Sequence, residues 1–87
     1  MKISVQKVTD QLTIEGFTGG PIFFKGAKIG SFVTHGDKTP QRNTVYASRI
    51  YQGPVRIEVT GKRRDTMLAK VAKELAKAIN GGFWPLE

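Results

Sequence analysis

The chain of 87 residues has no cysteine, one histidine and one tryptophan. Without cysteine there is no disulfide and no thiolate metal site, and a Cys–His nucleophilic pair is excluded. A single histidine excludes a His pair as well. Acids are scarce: the seven (Asp10, Glu15, Asp37, Glu58, Asp65, Glu74 and Glu87) stand singly along the chain. No two have the spacing of a metal site or of an acid–base dyad. The glycine clusters GFTGG and GAKIG lack the Gly-Lys-Ser/Thr of a phosphate-binding P-loop. A ribonuclease built on His35 alone is the one enzymatic alternative left. The expectation is a protein that is not an enzyme, with no catalytic residues, no cofactor and no metal.

Long apolar runs are missing too. None approaches the roughly 20 residues of a bilayer span. Residues 1–6 alternate polar and apolar and do not form the core of a signal peptide. A soluble cytoplasmic protein without a membrane partner is expected. The length suits a single domain, 1–87, with a thin core.

Positive charge is what the chain has in excess. Fourteen Lys and Arg against seven Asp and Glu give a formal charge of +7. In so small a domain this favours a polyanionic partner, with DNA or RNA foremost. An acidic protein partner is the competing expectation, and plain solubility the third.

The patterning before residue 60 is strand-like. Ile3 and Val5 alternate with polar residues, as do Leu12 and Ile14, and Thr9-Asp10 between them reads as a turn, making 2–16 a hairpin. GFTGGP (16–21) breaks the chain. IFFKGAKIGSFV (22–33) reads as two strands about a turn near Gly26. THGDKTPQRNT (34–44) reads as an exposed loop. VYASRIY (45–51) and VRIEV (55–59) are strands separated by a QGP turn. The period then changes. Leu68, Val71, Ala72, Leu75 and Ile79 fall on one stripe of a helix, with Asp65 or Thr66 as its cap, Asn80-Gly81-Gly82 as its stop, and Phe83 folded back on the last turn.

The expected fold is α+β: an antiparallel sheet of four to five strands, open or curled towards a small barrel, with one C-terminal helix on one face. Neighbouring apolar residues recur: Phe23-Phe24, Phe32-Val33, Val45-Tyr46, Ile50-Tyr51. Neighbours on a strand point to opposite faces, and one helix covers one face. The second face therefore needs barrel closure, a second copy of the chain, a protein partner or nucleic-acid bases. Most of the aromatic rings, Trp84 included, are expected in the core.

Six cations and two anions lie between Thr60 and Asn80: Lys62, Arg63, Arg64, Lys70, Lys73 and Lys77 against Asp65 and Glu74, a net +4. Lys70, Lys73 and Lys77 oppose the apolar stripe, as any amphipathic helix requires. Lys62-Arg63-Arg64 lies against the positive end of the helix dipole, where acids are the stabilising choice. There, amide groups and cations together suit a phosphate. The 34–44 loop adds His35, Lys38 and Arg42 against Asp37. The expected nucleic-acid contacts are thus His35, Lys38, Arg42, Lys62, Arg63, Arg64 and Lys70, with little base specificity. The alternative is a non-enzymatic accessory factor or inhibitor, of the kind encoded by phages and mobile elements, that docks its second sheet face on a protein or on another copy of itself.

Over 29–80 the order KIGSFV, His35 loop, VYASRIY, VRIEV, GKRRDTMLAKVAKELAKAI is similar in outline to double-stranded-RNA-binding domains. In that family three strands precede a helix with a basic start, and a loop between the first two strands carries a histidine. The family's glycine-rich lead into Ser-Lys-Lys is absent, as is the Gly-Pro before the loop histidine. Strands are expected here where the family has its N-terminal helix. The resemblance is one of architecture and does not extend to membership.

Overall fold

Ser4 starts the first element by accepting a hydrogen bond from the Lys7 amide through its side chain, at 3.2 Å. In the computed structural model, which describes residues 2–35 and 44–84, this cap opens a helix, α1 (Val5–Gln11). The hairpin expected over 2–16 is therefore replaced by a helix followed by a short strand. The alternation of Ile3 and Val5 misleads because Val5 stays 45% exposed. The residues that decide the conformation are Val8 and Leu12, four apart and both buried. Gln6 reaches Asp10 at 2.9 Å along the helix, and the Thr9 hydroxyl donates to the Val5 carbonyl.

Five strands follow: β1 (Leu12–Ile14), β2 (Gly19–Phe24), β3 (Ala27–His35), β4 (Val45–Gln52) and β5 (Val55–Gly61). They form one antiparallel meander in chain order, and the sheet is open, not closed into a barrel. β2 begins at Gly19, inside the stretch expected to be a break. β3 runs through Thr34 and His35, so His35 ends a strand and does not sit in a loop. The final element is α2 (Arg64–Asn80).

The apolar neighbours divide between the faces as the strand period requires. Phe24, Phe32, Tyr46 and Ile50 are buried with Leu12, Ile22 and Ile57 under the helices. Their companions differ: Val33 is 49% and Tyr51 46% exposed, while Phe23 and Val45 are half-buried. The helix side is closed by Met67, Val71, Ala72, Leu75, Ala76 and Ile79 of α2 and by Val8 of α1. Met67 takes the inner position expected for Leu68, which is half-buried. Each large side chain fully withdrawn from water contributes about 1.5–3 kcal/mol. The rings of Phe32 and Tyr46 stack at 6.5 Å between centroids.

α2 stops where Asn80-Gly81-Gly82 stands. The amides of Phe83 and Trp84 both return to the Ala78 carbonyl. Trp84 is buried, as expected, whereas the Phe83 ring is 70% exposed. The Asn80 side chain accepts from the Ile3 amide at 2.6 Å and donates to the Ile3 carbonyl at 2.9 Å. This amide clamp ties the start of the chain to the end of α2. No helix among the described residues is long and apolar enough to cross a membrane.

Candidate nucleic-acid interface

The meander brings distant basic residues to one end of the sheet. His35 opposes Val45, and Tyr46 opposes Gly61, the last residue of β5. Lys62 follows Gly61 directly. At about 4.8 Å per strand spacing, His35 and Lys62 are roughly 10 Å apart. Gly19 opposes Val33, so the 15–18 loop lies at this end as well.

The start of α2 differs from expectation. Neither Asp65 nor Thr66 caps it. Arg63 is the N-cap residue, in extended conformation (φ −126°, ψ 152°), and no side chain caps the helix. The first helical rung runs from the Met67 amide to the Arg63 carbonyl at 3.0 Å. The amides of Arg64, Asp65 and Thr66 have no acceptor within the helix. Arg64 is thus the first residue of the helix and Arg63 its N-cap, while Lys62 lies in the connection that precedes them.

The three cations have different surroundings. Lys62 and Arg63 are exposed and pair with no carboxylate among the described residues. Arg64 is half-buried, with its guanidinium 5.6 Å from the Phe32 ring centroid and 6.0 Å from that of Phe17. It bridges the core and an exposed ring by cation–π contact. Lys70 sits elsewhere: its ammonium donates to the Thr60 carbonyl on β5 at 2.7 Å. Lys38 and Arg42 lie outside the described residues.

Phe17 is the residue that sequence reasoning missed. Its ring is 59% exposed beside Arg64. The loop that carries it is fixed at several points. The Glu15 amide donates to the Pro21 carbonyl, and both the Thr34 amide and hydroxyl donate to the Thr18 carbonyl at 3.0 Å. Gly16 has φ +85°, and a Cβ on Gly20 would lie 2.2 Å from the Glu15 carbonyl oxygen. Only glycines permit this loop. The signal was present in the sequence, as a large aromatic set among three glycines, but it reads there as a chain break.

The uncovered sheet face is mixed in character, not apolar throughout. Ser31, Val33, His35, Ala47, Arg49, Glu58 and Thr60 line an open depression of about 530 Å³. Glu58 accepts from Arg49 at 2.8 Å and from Arg56 at 3.1 Å. These hydrogen bonds, the one from Arg56 first, hold its carboxyl below the usual carboxylate range. Arg56 in turn lies 5.9 Å from the Tyr51 ring centroid. Among the described residues no three His, Asp or Glu side chains converge to hold a metal ion.

Comparison with protein-family models, with curated proteins and with solved structures gives no match for this chain, so its geometry alone carries the functional argument.

Proposed function

We propose that the protein is a non-enzymatic nucleic-acid-binding module of the cytoplasm that grips phosphates at the loop end of its sheet, with little base specificity. The observation that carries this reading is the uncapped start of α2. Its first amides lie beside Lys62 and Arg63, which pair with no carboxylate among the described residues, at the same sheet end as His35. Helix-start amides and cations together attract a phosphate. The dipole penalty of cations at that position then has a compensating use. Lys38 and Arg42 are the further contacts expected on sequence grounds. Lys70 contributes charge to the region, although its ammonium is bound to Thr60.

The test is a binding titration against DNA and RNA, single- and double-stranded, at two salt concentrations. The affinity is expected to fall steeply with salt, in proportion to the phosphates contacted. Absence of binding to every one of these at about 50 mM salt would reject the reading, because phosphate contacts are strongest there.

A second reading has its own support in the uncovered face, where Val33 and Tyr51 are exposed beside the depression. There the module would dock on a protein or on a second copy of the chain, as an accessory factor or inhibitor. Val33→Glu, with the fold intact by circular dichroism, would abolish partner capture under this reading and leave nucleic-acid binding unchanged under the first.

A further inference from the structure

Two exposed rings have a cation over them, Tyr51 with Arg56 and Phe17 with Arg64, and Phe17 is the more exposed. The 15–18 loop is pinned by three backbone-directed hydrogen bonds, and its glycines allow a close approach that no side chain tolerates. Arg64 lies over the ring and ties it, through Phe32, to the core. Phe83 is more exposed still, yet no cation lies over it among the described residues. The Phe17 ring is thus presented to solvent in a fixed place, beside Arg64, which Lys62 and Arg63 immediately precede in the chain.

We propose that Phe17 is a stacking platform for an unpaired nucleobase, so that the preferred ligand of this end is single-stranded nucleic acid. The inference rests on the nucleic-acid reading above and adds the strand state and the residue that selects it. A duplex keeps its bases paired and stacked inside, out of reach of a ring on a short loop. A single strand offers a π-face at every nucleotide, and stacking on an aromatic side chain is tolerant of sequence. Arg64 on one side of the ring leaves the exposed side for the base. Lys62 and Arg63 then meet the phosphates that flank it.

The experiment compares three fluorescein-labelled ligands by anisotropy: a short oligothymidylate, the same strand in a duplex, and an abasic oligomer of equal length and charge. The wild-type protein is expected to bind the oligothymidylate about tenfold more tightly than the abasic oligomer, the effect of one stacked base. Phe17→Leu should erase that difference and leave the salt slope unchanged, since stacking releases no counterions. Phe17→Trp should restore it. Equal wild-type affinity for thymidylate and abasic strands overturns the proposal, as does tighter binding to the duplex. It is overturned equally if Phe17→Leu weakens both single strands alike, which marks a structural role. Failure of all three ligands to bind rejects the nucleic-acid reading itself, a result distinct from binding that ignores the base.

Discussion

At one end of the sheet the strands reverse through two residues each, Lys25-Gly26 between β2 and β3 and Gly53-Pro54 between β4 and β5. At the other end the connections are longer, the chain crosses from β5 to α2, and Arg64 of the helix start meets Phe17, while His35 ends β3 on the uncovered face. The first end turns the chain and carries one exposed ring of its own, Tyr51, with Arg56 over it. The second gathers an exposed ring, two cations and an uncapped helix start. Binding residues concentrate on connections held by a rigid scaffold, and here the scaffold has one end for each task.

The difference between the ends can be broken most sharply at glycine. Gly20→Ala sets a Cβ against the Glu15 carbonyl, where no flexible side chain can yield. It should cost about 3 kcal/mol in urea denaturation and weaken oligonucleotide binding. Gly26→Ala, in the opposite turn, meets nothing within 4 Å and has only its φ of +81° to oppose it. It should cost about 1 kcal/mol and leave binding alone. Equal costs would mean that the loop end is no more constrained than the turn end.

Charge sharpens the same comparison. Lys62→Ala with Arg63→Ala should lower the slope of log affinity against log salt by about two units, one for each cation withdrawn from a phosphate. Lys28→Gln, near the turn end, should leave that slope unchanged. Between the ends, the Ser48 hydroxyl on β4 is buried without a hydrogen-bond partner among the described residues. Ser48→Ala should raise stability by about 1 kcal/mol, because an unsatisfied buried hydroxyl is removed, and should not alter binding at either salt concentration.

The smallest effect concerns pH. The folded Glu58 carboxyl titrates below its unfolded value, so its contribution to stability is present above that value, about 4.3 for a free Glu. The contribution is lost as pH falls through the lower, folded value. The pair partners are exposed and screened by solvent, so only a shallow decline in melting temperature is expected on acidification. Glu58→Gln should remove that part of the decline.

Strands β4 and β5 and helix α2 were legible because each carries enough periodic apolar residues to declare its period, whereas β2 and β3 were legible only in part, since Gly19-Gly20-Pro21 and Thr34-His35 carry no such signal. The split of Phe32-Val33 and Ile50-Tyr51 between two faces followed from the same rule. α1 was not legible: it has seven residues, buries only Val8, and is fixed by the Ser4 cap and by packing against α2. The cations at the strand–helix junction were legible as candidates, but their neighbours were not. That His35 lies two strands from Lys62 follows from the meander order, which local patterning does not encode. Phe17 was hidden for a related reason: its position over Arg64 depends on a register set by Gly19 and Val33, far along the chain.

Lys70 closes an edge as well as carrying a charge. β5 is the last strand of the sheet, and no strand among the described residues pairs with its outer side. The Lys70 ammonium occupies one of them, the Thr60 carbonyl. Lysines at such positions hinder edge-to-edge polymerisation. Replacing Lys70 to test phosphate binding therefore also opens the sheet to its own copies. Any loss of affinity in such a variant has to be read beside its light scattering, over a range of protein concentrations, before it is assigned to the nucleic acid.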